Sequence, residues 1–337
     1  MKRKTSNILL ASLGLLILLA GAGVGFIYGI LPGKVADSLF AKSQVRAPLT
    51  QSPKDYGLAY RNVSFPTSDG VTLSGWWLPV ESGHPVHGTV ILSHGAFHNR
   101  GQVLDRAAFL SGMGYQILLF DLRGEGMSGD SPLSGGLLES RDFLAAEKFL
   151  EGRKEIRKPL IFFGFSLGAM AALRAAVTAP GVDAVIADSP LANLKNYVSR
   201  RTLGGVFSSL PGFLGKCLGD YDARTGLALT EADLNLVPVV KQLPDVPVLY
   251  ITGEKDDLAR PVEVHKLFVN TPSPHRRMVY IPGAGHEQTF RKYPVVYEKV
   301  VREFLADMKK GFPQEKIDWS GKNVQRPHPA RKHKFPW

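Results

Sequence analysis

The sequence predicts an α/β fold, a mostly parallel central sheet covered by helices on both faces. Two observations carry that expectation. Short apolar runs of strand length recur at Gly88–Ser93, Tyr115–Asp121, Pro159–Gly164, Val182–Ala187, Val246–Thr252 and Met278–Ile281. Helix-length segments alternate with them, a pattern that implies parallel pairing with cover on both sides. A hairpin pattern precedes these runs, Tyr60–Phe65 and Val71–Leu78 across Ser68-Asp69-Gly70, and predicts an antiparallel start to the sheet. Trp76 and Trp77, adjacent in its second strand, should face opposite sides. A closing helix is expected around Val295–Met308.

Ahead of the sheet, Lys2-Arg3-Lys4 precede an uncharged apolar stretch from Ile8 to about Leu31, long enough to span a bilayer as a helix. Ala20-Gly21-Ala22 offers a small-residue cleavage site of the signal-peptide kind. Apolarity nevertheless continues through Val24, Phe26, Ile27, Tyr28, Ile30 and Leu31, further than a signal-peptide core runs. The expected organisation is a cytoplasmic stub and transmembrane anchor (or signal peptide) over 1–31, a linker over 32–57, one domain over 58–310 and a basic, disordered tail over 311–337. Positive charge before the helix places the main domain on the extracytoplasmic side, or makes it secreted if the segment is cleaved. Lys34, Lys42 and Arg46, close behind the helix, weaken that asymmetry.

Of the 337 residues, about 250 remain for the main domain, ample for a large core. The net charge is +11, but it is concentrated at the ends. Lys2, Arg3 and Lys4, with eight Lys or Arg against two acidic residues from Lys309 onward, account for nine of these charges. The main domain is therefore nearly balanced, and no nucleic-acid motif or basic face with interleaved aromatics is present. Cys217 is the only cysteine, so no intrachain disulfide can form. His94 and His98 lie on a loop, and there is no H-E-x-x-H, Cys-His cluster or G-x-G-x-x-G, so neither a metal nor a dinucleotide cofactor is expected.

The chemistry concentrates in three loops. Gly164-Phe165-Ser166-Leu167-Gly168 follows a strand candidate and opens a small-residue helix, the context that makes G-x-S-x-G a nucleophile elbow. Side chains at 164 and 168 would collide with the adjoining strand or helix, and glycine removes them. Gly253-Glu254-Lys255-Asp256-Asp257 ends the next strand candidate but one, and Pro282-Gly283-Ala284-Gly285-His286 ends the last. Ser166, an Asp and His286 appear in the chain order of a nucleophile–acid–base triad, each on a loop after a strand. Counting from Gly253 selects Asp256 as the acid. Counting back from Pro261 selects Asp257, and Asp188, at the end of the strand candidate Val182–Ala187, is a third position.

These segments resemble those of the α/β-hydrolase superfamily. Val90-Ile91-Leu92-Ser93-His94-Gly95-Ala96-Phe97 resembles its strand and H-G-x loop, and Phe120 to Gly129 its D-x-R-G-x-G-x-S turn. The likeness runs from about Tyr60 to about Leu305 in five motifs. It implies an α/β-hydrolase fold and a serine hydrolase in which Ser166, His286 and Asp256 form the triad. It also implies that the backbone N–H groups of Ala96 and Leu167 form the oxyanion hole, each such donor contributing about 3 kcal/mol to the transition state. A serine nucleophile sets the chain apart from the dehalogenases and epoxide hydrolases of that superfamily. The expected reaction is cleavage of carboxyl esters or thioesters without a cofactor, on a small-molecule or lipid-like substrate. Acyltransferase, amidase or peptidase chemistry, and non-catalytic binding on the same fold, are the alternatives. Residues 191–245 are expected to form a small helical lid, whose Phe207, Leu210, Phe213 and Leu214 either line an acyl pocket or pack the lid onto the body.

Overall fold

The structure, a computed structural model, describes residues 15–196 and 212–310. They fall into two compact units, one within Met1–Gln44 and Lys195–Ala232, the other within Val45–Leu194 and Asp233–Trp337.

The larger unit is built on one sheet of β1 (Arg61–Pro66), β2 (Thr72–Leu78), β3 (Gly88–Ser93), β4 (Tyr115–Phe120), β5 (Leu160–Phe165), β6 (Ala184–Asp188), β7 (Val248–Gly253) and β8 (Arg276–Ile281). Every strand lies within two residues, at either end, of a run read from the sequence. The spatial order is β1-β2-β4-β3-β5-β6-β7-β8. β2 pairs antiparallel with both β1 and β4, and all other pairs are parallel. β3 to β7 are buried along their whole length, as parallel strands covered on both faces must be.

On one face, Leu104 and Leu110 of helix Leu104–Gly112 and Tyr297 and Phe304 of helix Pro294–Lys310 join the core with Val90, Leu92 and Phe163. On the other, Phe143 of helix Ser140–Gly152 sits 5.3 Å from the rings of both Phe120 and Phe162. Burying each of these large side chains contributes roughly 2–3 kcal/mol. The chain leaves β3 toward β4, then crosses over to place β5 on the other side of β3. Loops leaving β3 and β5 therefore part in opposite directions, and the crevice between them is where an open α/β sheet receives ligands.

In the smaller unit, helix Leu15–Asp37 has a mean hydropathy of 2.1 and is long and apolar enough to cross a membrane. A π turn at Phe26–Ile30 interrupts it, with Leu31 N–H donating to Phe26 O, before the helix continues as Leu31–Gln44. The wider turn relieves the clash that the ring of Pro32 would make with the carbonyl four residues back. The stretch 32–57, expected as a linker, is thus helical to Gln44 and belongs to the sheet unit from Val45.

The excursion is shorter than expected from the sequence. Leu194 N–H donates to Leu234 O at 2.9 Å and Leu236 N–H to Ala192 O at 2.9 Å, so residues 191–194 and 233–245 stay with the sheet. Helix Phe213–Thr225 buries Phe213, Leu214, Cys217 and Tyr221, one face at helical spacing. It packs along Leu31–Gln44, where Arg224 Nε lies 2.7 Å from Asp37 Oδ1. Phe207, Leu210 and the basic tail lie outside the described residues.

Candidate active site

Ser166 stands between β5 and helix Leu167–Ala176 with φ 52° and ψ −111°, a conformation rare outside glycine. The surrounding glycines make that turn possible. A Cβ at Gly164 would lie 2.1 Å from the Gly168 carbonyl, and one at Gly168 2.6 Å from His94 O. Ser166 N–H donates to Asp188 O at 2.8 Å, which ties the elbow to the end of β6.

A second zipper joins the loops after β7 and β8. Glu254 N–H donates to Ile281 O and Lys255 N–H to Ala284 O, both at 2.9 Å. Gly253 permits the approach, since a Cβ there would lie 2.3 Å from Ala284 O. The zipper brings Asp256 to His286, with Asp256 Oδ2 accepting from His286 Nδ1 at 2.9 Å. On the other side of the ring, His286 Nε2 lies 2.8 Å from Ser166 Oγ. Asp256 is buried, and its Oδ1 accepts from the N–H groups of Leu258 at 2.9 Å and Ala259 at 2.8 Å. Asp257, the neighbour that spacing left open, is exposed.

Asp188 is fully buried in a different network. Its Oδ2 accepts from Arg106 Nη2 at 2.9 Å, Thr289 Oγ1 at 3.0 Å and Tyr297 OH at 2.9 Å. The Arg106 guanidinium lies over the rings of Phe165, Phe290 and Tyr297, and Phe165 in turn stands 5.3 Å from the His286 ring. This network braces the elbow and the histidine loop together. Sequence reasoning missed it because no spacing motif joins positions 106, 188, 289 and 297.

The β3 loop supplies the facing wall. A Cβ at Gly95 would lie 3.2 Å from Ser166 Cβ, so the backbone there runs beside the serine. Gly95 N–H donates to Gln102 Oε1 at 2.9 Å and Phe97 N–H to Glu125 Oε1 at 2.8 Å, which places Ala96 between two anchored neighbours. The N–H of Leu167 lies in the first helical turn, where the helix itself supplies no acceptor and its dipole favours negative charge. The D-x-R-G turn is a scaffold. Asp121 Oδ1 accepts from Arg100 N–H at 2.7 Å and its Oδ2 from Met127 N–H at 2.8 Å, while Arg123 Nε reaches Asp142 Oδ1 at 2.8 Å.

His94 is buried, its Nε2 accepting from Leu122 N–H at 3.1 Å, so the proton sits on Nδ1 and is donated to Gly95 O at 2.7 Å. Burial pushes its pKa down to about 4, against the opposing charge of Asp121. An unfolded histidine binds its proton near pH 6.5 and this one holds off until about pH 4, so stability falls as pH drops through that window, by about 3 kcal/mol in all. Burial raises Glu125 to about 7, which acts with the opposite sign over nearly the same range. The measurement is therefore differential. The gap in thermal midpoint between wild type and His94→Asn should narrow as pH falls from 7.5 to 4.5, and a constant gap would contradict the assignment. Among the described residues, no three His, Cys, Asp or Glu side chains converge as a metal-ligand set.

A serine on a strained strand–helix turn, hydrogen-bonded through histidine to a buried aspartate above a parallel sheet, defines the hydrolase class of α/β proteins. The chain belongs to the α/β-hydrolase family, whose model, described as Alpha/beta hydrolase family, matches residues 90–298. It is similar to an uncharacterized protein of Mycobacterium tuberculosis, 30% identical over 253 residues that cover 74% of this chain and 80% of that one. A polyketide transferase of Aspergillus fumigatus is 26% identical, with 74% of this chain and 97% of the relative covered. Among solved structures, an esterase of Pyrococcus furiosus superposes with a TM-score of 0.64 at 28% identity, covering 78% of this chain and 96% of the esterase.

Proposed function

We propose that this chain is a membrane-anchored serine hydrolase that cleaves carboxyl esters or thioesters through Ser166, His286 and Asp256. The observation that carries the reading is the continuous hydrogen-bonded relay from Ser166 Oγ through both nitrogens of His286 to Asp256. Ser166 Oγ attacks the substrate carbonyl carbon while His286 Nε2 takes its proton. The electron pair displaced onto the carbonyl oxygen is received by the N–H groups of Ala96 and Leu167. Collapse of the tetrahedral species expels the alcohol or thiol, which takes the proton from His286 and leaves an acyl-serine. A water then gives its proton to His286, attacks the acyl carbon and releases the acid, and the serine recovers its proton. Asp256 holds the imidazole with Nδ1 protonated and stabilises its cationic form. Esterase chemistry also draws support from the likeness to the Pyrococcus furiosus esterase.

The apolar helix Leu15–Asp37 supports a membrane anchor, and Lys2, Arg3 and Lys4 before it favour an extracytoplasmic catalytic unit. An anchored hydrolase meets amphiphilic esters at the bilayer, and a lipid-like ester is the substrate class this placement favours. Acyl transfer to an added acceptor is the second reading, favoured by the relative named a polyketide transferase.

The test is labelling of detergent-solubilised protein with a fluorophosphonate, followed by a p-nitrophenyl ester series from acetyl to palmitoyl. Labelling of wild type and hydrolysis of the series are expected. Absence of labelling in well-folded wild type would move non-catalytic binding to the front. Product formation with an alcohol acceptor in excess of hydrolysis would favour the transferase.

A further inference from the structure

Residues just beyond the apolar helix grip the loop opposite Ser166. Arg46 Nη1 donates to the carbonyls of Glu125 at 2.9 Å, Gly126 at 3.1 Å and Ser128 at 2.6 Å, and Nη2 pairs with Asp130. These carbonyls belong to a tight turn in which Gly124 N–H donates to Gly129 O at 2.8 Å and Gly126 has φ 47°. One guanidinium thus satisfies the outward side of the turn. From the inward side, the carboxylate of Glu125, a residue 4% exposed, accepts from Phe97 N–H at 2.8 Å. Phe97 has φ 63°, a left-handed conformation that a phenylalanine keeps only when its surroundings hold it. Two residues further along that loop, Asn99 Nδ2 donates to Ala47 O at 3.0 Å and Pro48 O at 3.1 Å, while its Oδ1 accepts from Gly101 N–H at 2.9 Å.

We infer that Arg46–Pro48 is a strap that fixes the Gly95–Asn99 loop, with Arg46, Glu125 and Asn99 as positioning residues for the Ala96 N–H. The inference rests on the proposed oxyanion role of Ala96. The chain leaving that residue is tied to the strap twice, at Phe97 through Glu125 and Arg46, and at Asn99 directly. A hole that drifts loses donors aimed at the developing oxyanion while leaving the substrate's ground-state contacts alone. The strap therefore acts on kcat rather than on KM. It begins two residues after helix Leu31–Gln44, so the chain that carries the apolar helix also carries the brace of the active-site loop.

The experiment uses the full chain in detergent and compares wild type with Arg46→Ala, Glu125→Ala and Glu125→Gln. Amide hydrogen exchange of peptides covering 95–100 should quicken at least about tenfold in Arg46→Ala and Glu125→Ala, with the strands β3 to β7 unchanged. With p-nitrophenyl acetate, kcat should fall about 10- to 100-fold while KM stays within about twofold. Glu125→Gln keeps an acceptor oxygen and should recover at least about tenfold in kcat over Glu125→Ala. Unchanged exchange in 95–100, or an unchanged kcat in Arg46→Ala, overturns the strap. The exchange readout needs no turnover, so failure of the serine-hydrolase reading, seen as unlabelled wild type, is recorded separately from failure of the strap.

Discussion

Ser166→Ala is expected to lower kcat by about 10⁶ and to abolish fluorophosphonate labelling. Removing Oγ leaves His286 and Asp256 paired but with no atom to activate, so only the hole and the binding surface remain. Alanine keeps the Cβ, so the strained φ of 52° persists and the fold should be unchanged. Ser166→Gly separates strain from chemistry. Glycine adopts this conformation without the Cβ penalty, so the variant should be as inactive as alanine yet more stable by about 1 kcal/mol. Thermal midpoints and kcat on the same preparations make the comparison. Turnover by purified Ser166→Ala at the wild-type rate would sink the mechanism. A Ser166→Gly variant less stable than Ser166→Ala would show that the strain in the turn is too small to offset the entropy glycine adds to the unfolded chain.

What was legible in the sequence was what is local. Six strands follow from apolar runs and two from the hairpin pattern, and the elbow follows from two glycines whose absent side chains clear 2.1 Å and 2.6 Å approaches. The long-range polar structure was not legible. Arg106, Asp188, Thr289 and Tyr297 meet across nearly two hundred residues, and only folding shows that Asp188 is occupied there. Residues 45–57 belong to the stretch 32–57 that Pro32, Pro48 and Pro53 mark as a linker. Their attachment runs largely through backbone carbonyls, which every residue carries, and so leaves little side-chain signature. The excursion is shorter than 191–245 at both ends because its flanks, 191–194 and 233–236, pair with each other and stay in the sheet unit.

The choice between Asp256 and Asp257 is the sharpest case, and it yields the second large effect. Asp256→Asn should lower kcat by about 10⁴, whereas Asp257→Asn should change it by less than about threefold. The size follows from the other oxygen of Asp256. Its Oδ1 accepts two backbone N–H groups, from Leu258 and Ala259, so an asparagine must place its own oxygen there. The amide nitrogen is then forced into the position of Oδ2, facing His286 Nδ1. Two donors cannot share that contact, so the imidazole must become the acceptor at Nδ1 and carry its proton on Nε2. That nitrogen faces Ser166 Oγ at 2.8 Å and can no longer accept its proton. The fold survives because every backbone bond to residue 256 survives, and the loss appears in kcat with the thermal midpoint nearly unmoved. Because the defect is a misplaced proton, activity in Asp256→Asn should rise with hydroxide concentration above neutrality. A large loss at 257 with none at 256 would mean that the carboxylate seen bonded to His286 is not the one that supports turnover.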